Sequence, residues 1–168
     1  IEFFGGTASM DHIVITGAAD DSLDFDLGWR GDAQFVVIQQ FAGIGDNGIE
    51  ADNLGSNESA EPRTNPRPFN FTMLGTPDTR GMVLREGMRG TLRNFIVATV
   101  AGEAVDLRAA TVDLASEWPA SLSIENSIFF NNGDYSDESG EEENDDGGFD
   151  EGAAIGDDAR GNSEVDPM

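Results

Sequence analysis

The stretch "DDSLDFDLGWRGDAQFVVIQQFAGIGDNGIEADNLG" (20–55) contains one phrase written twice. "SLDFDLG" (22–28) and "GIEADNLG" (48–55) both alternate apolar with acidic residues and both close on Leu-Gly. Strict alternation of this kind is the signature of a half-buried β-strand, because successive side chains of a strand point to opposite faces. Between the two lies "FVVIQQ" (35–40), a β-branched run that reads as a second strand.

Both strands recur outward from this pair. The first series continues at "GMVLREG" (81–87) and "EAVDLRA" (103–109). The second comprises "HIVITG" (12–17), "FVVIQQ", "FNFTMLG" (69–75), "NFIVATV" (94–100) and "SLSIENS" (121–127). With Leu23, Ile49, Met82 and Val105 taken as equivalent, the steps are 26, 33 and 23 residues. The long step contains "SNESAEPRTNPRP" (56–68), which reads as an inserted loop. A repeat of this length without room for a crossover helix excludes a doubly wound α/β fold and predicts a solenoid of strands. The expected fold is all-β, a right-handed parallel β-helix of about five coils, stacked about 4.8 Å apart. Residues 1–133 form the coils, and 134–168 form an acidic loop and the approach to a further coil of the same domain. "DYSDESGEEENDDGGFDE" (134–151) has ten acidic residues in eighteen and little to bury, so it is expected to be a solvated excursion.

Alternation assigns faces. Leu23, Phe25 and Leu27 are expected to point inward, as are Ile49 with Ala51, Met82 with Leu84, and Val105 with Leu107. Phe35, Phe69, Phe71 and Phe95 are expected in core stacks. Outward, Asp24 stacks on Glu50, Val83 and Asp106, while Asp26 stacks on Asp52, Arg85 and Arg108.

The chain carries 33 acidic and 9 basic residues, a formal charge of −24, and every basic residue is Arg. That surface repels nucleic acid and anionic lipid, and it suits divalent cations, cationic partners or a salty medium. No cysteine is present, which excludes disulfides and thiol chemistry. No apolar run reaches the length of a membrane span. A chain that begins at Ile1 and closes on "VDPM" is read as a section of a longer one.

The two-by-two patch of Asp24, Asp26, Glu50 and Asp52 is the candidate site. Four like charges at strand spacing need compensation. Ca²⁺ shared among these four is one expectation, since it takes six to eight oxygen ligands in irregular geometry. Pairing of Arg85 with Asp52 and of Arg108 with Asp106 is the second, and screening by water and salt the third. Were the chain an enzyme, Arg85, Arg108 and Asp52 would be its catalytic residues. Trp29, in "LGWRG" directly after an acidic strand, is the candidate sugar-stacking platform, ahead of Trp118. His12 is the single histidine and reads as a strand-edge side chain. "GIGDNG" (43–48) lacks a following helix to offer a phosphate, so it reads as a turn. "NES" at 57 and "NFT" at 70 are acceptor-like triplets of low specificity.

"FFGGT" (3–7), "DDSLDFDLGWRG" (20–31), "GDNGIEADN" (45–53), "PRTNP" (62–66), "GMVLREG" and the closing "DPM" together resemble surface lipoproteins of Gram-negative bacteria that are related to pectate-lyase-like right-handed β-helix proteins. The resemblance spans nearly the whole chain. It implies a secreted or outer-membrane-attached β-helix, extracellular in location. It transfers no catalytic residue, because Arg85 and Arg108 match the lyases' arginine in residue type alone.

The preferred reading is therefore a non-catalytic β-helix at the cell surface that binds or scaffolds. Glycan or a cell-envelope protein is its expected partner, with Ca²⁺ as the expected cofactor if any. Nucleic acid and a direct membrane span are not expected, and membership of a larger assembly is. The alternative is a polysaccharide lyase or glycoside hydrolase acting on acidic polysaccharide.

Overall fold

A computed structural model describes residues 1–133 and 146–167. Twelve strands in two sheets build it. β1 (Glu2–Phe4), β3 (Leu23–Asp26), β5 (Asn47–Ala51), β7 (Arg80–Leu84) and β9 (Val105–Leu107) form the first sheet, in that spatial order. The second runs from β2 (Met10–Thr16) through β4 (Asp32–Gln39), β6 (Arg67–Leu74) and β8 (Gly90–Ala98) to β11 (Ile128–Phe130) and β12 (Ser163–Glu164). Every pairing is parallel, and from β1 to β9 successive strands of the chain alternate between the sheets. The chain is a parallel β-helix.

Leu23, Ile49, Met82 and Val105 are register partners in one column, as are Asp24, Glu50, Val83 and Asp106. The inward column is fully enclosed, with Leu23, Phe25, Ile49, Met82, Leu84, Val105 and Leu107 all at the centre of the core. Each such side chain stabilises the fold by about 1.5–3 kcal/mol through burial. One strand lies outside the periodic reading: β1 pairs with β3 through Glu2, Phe3 and Phe4, and completes the first rung with β2.

Alternation fails where the chain turns a corner. His12, Phe35, Asn70, Asn94 and Asn126 occupy equivalent positions in successive coils, and all have φ between 52° and 62°. A left-handed residue inside a strand puts two side chains in succession on the outside, as at Gln34–Phe35 and Arg93–Asn94, and resumes the alternation one residue late. Each strand of the second sheet thereby becomes two arms that both face the core. Asn is the common choice because it tolerates this conformation, and Asn94 Nδ2 donates to Asn70 Oδ1 at 3.2 Å across the coils.

Several expectations are corrected here. Phe35 is exposed, since it sits on that corner and leans on the His12 ring at 4.8 Å, and Phe69 is half-buried beside it. Phe71 and Phe95 do stack in the core, 4.7 Å apart. Leu27 is exposed because the strand ends at Asp26 and Leu27 (φ 49°) opens the turn. "SLSIENS" forms β10 (Leu122–Glu125), which pairs with Gly90–Arg93 rather than with "NFIVATV"; Ile128–Phe130 takes that place, the corner at Asn126 having split the strand. The fifth coil also contains a helix, α1 (Leu114–Glu117), capped by Asp113. A second, α2 (Glu151–Ile155), precedes a single 3₁₀ turn and β12.

The inserted segment is ordered by its own polar groups. Buried Asn53 donates to the carbonyls of Glu58 and Ala60 and accepts from Thr64 N. The loop presses on two left-handed glycines, Gly28 and Gly87, where a Cβ would lie 2.4 Å from Pro62 O and 2.2 Å from Glu58 O. From there Glu58 reaches the fifth coil: its carboxylate accepts four hydrogen bonds of 2.8 Å from Ala110 N, Thr111 N, Thr111 Oγ1 and Val112 N. Arg63 follows it, donating to Gly87 O and pairing with Glu117 of α1 at 2.7 Å.

The acidic segment 134–151 lies outside the described residues over 134–145. Its remainder departs from the expectation of a solvated excursion: Asp146 and Glu151 are buried, and Phe149 packs on Trp118. No helix among the described residues is long and apolar enough to cross a membrane.

Candidate functional site

The outer face of the first sheet collects the carboxylates. Asp24 and Glu50 are register partners, with Asp26 and Asp52 two residues on. Neighbouring coils bring their backbones to about 4.8 Å. Arg85 enters the same face from β7's end and lies across it. Its Nε donates to Asp52 Oδ1 at 2.8 Å, one Nη donates to Asp52 Oδ2 at 2.9 Å, and the same nitrogen lies 2.9 Å from Glu50 Oε2. Arg108 repeats the motif, with Nε 2.9 Å and 3.0 Å from the oxygens of Asp106. Of the three compensations expected from sequence, guanidinium pairing is the one the geometry displays. The side chains lie flat, so Asp52, Val83 and Asp106 are buried although they face outward.

The electrostatics follow. Burial, followed by the repulsion of Glu2, Asp52 and Asp21, pushes the Asp24 carboxyl up to about 7. Its Oδ1 is buried without a hydrogen-bond partner. Burial also pushes Glu50 up to about 7, helped by Asp21, Asp52 and Asp24 and opposed by Arg85. Asp26 is raised by burial against the Leu27 N–H that favours its charge. Arg85 is held above its ordinary value, first by the Asp52 hydrogen bonds.

Ca²⁺ requires six to eight oxygens round a common point. Here both oxygens of Asp52 and one of Glu50 face the Arg85 guanidinium, so an ion at that place would have to displace it. Among the described residues no group of three or more carboxylates or imidazoles converges on a metal position.

Trp29 is not a platform. It is 0% exposed, packed against both Phe25 at 4.4 Å and Phe3 at 4.8 Å, and its Nε1 donates to Ala8 O at 3.0 Å. The chain turns inward after Gly28, and a Trp at that corner closes the core of the first two coils. His12 is exposed and paired with Asp11 at 2.8 Å, with no hydroxyl nucleophile in the contact.

Sequence reasoning missed Arg80. It begins β7 and holds Glu103 at 2.9 Å, Asp46 at 3.7 Å and Asp106 at 3.8 Å, which joins the charged face to a neighbouring groove. That groove, of about 500 Å³, is walled by Asp46, Asp78, Thr79, Arg80 and Glu103 over a floor of small residues including Gly102 and Gly133. The available signal was that Arg80, like Arg85, flanks an apolar strand in a chain with few cations.

A stack of parallel coils carrying an ion-paired strand face defines the class, a parallel β-helix. The chain belongs to the pectate-lyase like beta helix domain family, whose model matches residues 1–163. No match to it is found among curated proteins or among solved structures.

Proposed function

We propose that this β-helix binds an extended glycan along the outer face of its first sheet without cleaving it, at the outer surface of a Gram-negative cell. The observation that carries the reading is the Glu50–Asp52–Arg85 cluster. It is a planar array of donors and acceptors held in place before any ligand arrives, which is what sugar hydroxyls require and what limits the ordering cost of binding. The groove beside Arg80 extends it. Six carboxylates against two guanidinia on this face, on a chain of −24, favour neutral or amino-bearing sugars over uronates.

One observation favours hydrolysis as a second reading. Asp24 and Glu50 share a column and both titrate near neutrality, at about 7, so one can hold a proton while the other is charged. Arg85 would then position Glu50.

A single experiment separates the readings. Affinity electrophoresis on neutral, amino and uronate polysaccharides, with Ca²⁺ and with chelator, is run beside an assay for new reducing ends. Retention on neutral or amino glycans with no new ends, weakened about tenfold in Arg85→Ala, supports binding. New ends that vanish in both Glu50→Gln and Asp24→Asn, without the unsaturated ends a lyase leaves, would establish hydrolysis instead. Retention on no glycan, by folded protein, would sink both.

A further inference from the structure

The second sheet has a property that the charged face throws into relief. Beyond the corner, three outward columns begin at His12, Val14 and Thr16 and run through five coils to Asn126, Ile128 and Phe130. None of their fifteen positions carries a carboxylate or a guanidinium. A quarter of the chain is charged, so about four charges would be expected there. Instead, large apolar side chains stand in solvent: Val14 is 70% exposed, Phe35 46%, Val37 39% and Leu74 40%. Val14 and Val37 are register partners, and Phe41 and Ile44 add exposed apolar surface at the end of the same arm.

We infer that this face is where a second copy of the chain docks. Two chains at −24 repel over most of their surfaces, and this face is where a like-charged copy can approach without bringing carboxylates together. Its centre is apolar and therefore self-complementary, as a two-fold contact requires. The carboxylates of the first sheet belong to a separate face and remain open. Five residues by five coils is about 17 by 24 Å, or about 400 Å² per copy. A standard interface buries about 800 Å² per partner, so the dimer is weak.

Sedimentation equilibrium over a range of concentrations and NaCl tests this. The expected result is a monomer–dimer equilibrium with Kd near 100 μM, on the order of threefold tighter or more at 0.5 M than at 0.05 M NaCl, because screening removes the repulsion. Val14→Asp, at the most exposed position, is expected to weaken it at least about tenfold, and Val37→Asp likewise. Phe4→Asp, at an exposed position on the first sheet, leaves it unchanged. Circular dichroism confirms that each variant is folded. A chain that stays monomeric at millimolar concentration in high salt overturns the inference. So does a dimer indifferent to Val14→Asp, one that salt dissolves, or adsorption to phosphatidylcholine vesicles in place of dimerisation.

Discussion

Asp24 and Glu50 sit at about 7, above ordinary values of 3.8 and 4.5, so the folded chain keeps two protons that the unfolded chain releases. Between about pH 4.5 and 7 the folded state binds more protons, so stability falls as pH rises through that window and the advantage is gone above it. Glu117 acts in the opposite sense. Burial alone would raise it, but the bonds from Arg63, Ser121 and Arg89 outweigh that and hold it at about 2, so its contribution is present above 4.5 and lost as pH falls toward 2. The melting temperature is therefore expected to peak near pH 5, and thermal scans of Asp24→Asn and Glu50→Gln should show a flatter decline toward pH 8. Trp29 gives a second prediction at this scale. Trp29→Ala removes a fully buried ring that packs on both Phe3 and Phe25 and should cost about 3–5 kcal/mol in urea denaturation. The sequence made the carboxylates legible, because alternation says which side of a strand a residue faces. It did not place Trp29, because alternation carries no information past the strand's last residue, and the inward turn at Gly28 depends on the docked loop.

Among the elements, β3, β5, β7 and β9 of the first sheet were legible in register: Leu23, Ile49, Met82 and Val105 fell in one column because each is bounded by polar partners and turn residues. The second sheet was read less well. Its strands carry a left-handed corner, and a period-of-two reading cannot register a residue that spends one position turning. Phe35 was drawn into the core for that reason, and "SLSIENS" was matched to the wrong half of β8. The corner makes its own prediction. Asn94→Val places a β-branched residue at φ 58° and should destabilise by about 1–2 kcal/mol, whereas Asn94→Gly should cost a few tenths; chemical denaturation of the pair measures the difference.

For the molecule as a whole, charge is the dominant background. Repulsion at −24 opposes compaction, and the ion pairs of Arg63, Arg85 and Arg108 are partly sheltered and screened less than the general field. Raising NaCl from 0.05 to 1 M is therefore expected to raise the melting temperature by several degrees, and a fall would mean that specific pairs outweigh the field. The solenoid itself was legible from repeat spacing, and so was the number of rungs, although β1 was missed in the first of them. The Glu58 contact was beyond reach, since a carboxylate 52 residues from its partners leaves no local pattern.

That contact changes how the stack would come apart. In a simple solenoid each rung holds only its neighbours. Here Glu58 and Arg63 tie the third rung to the fifth across the fourth, like a buckle over three layers. Pulled from its two ends in a force-clamp instrument, the chain should release its first two rungs one at a time, in short even steps, and then hold. The remaining three should let go in one longer step at higher force, and Glu58→Ala combined with Arg63→Ala should break that step into three.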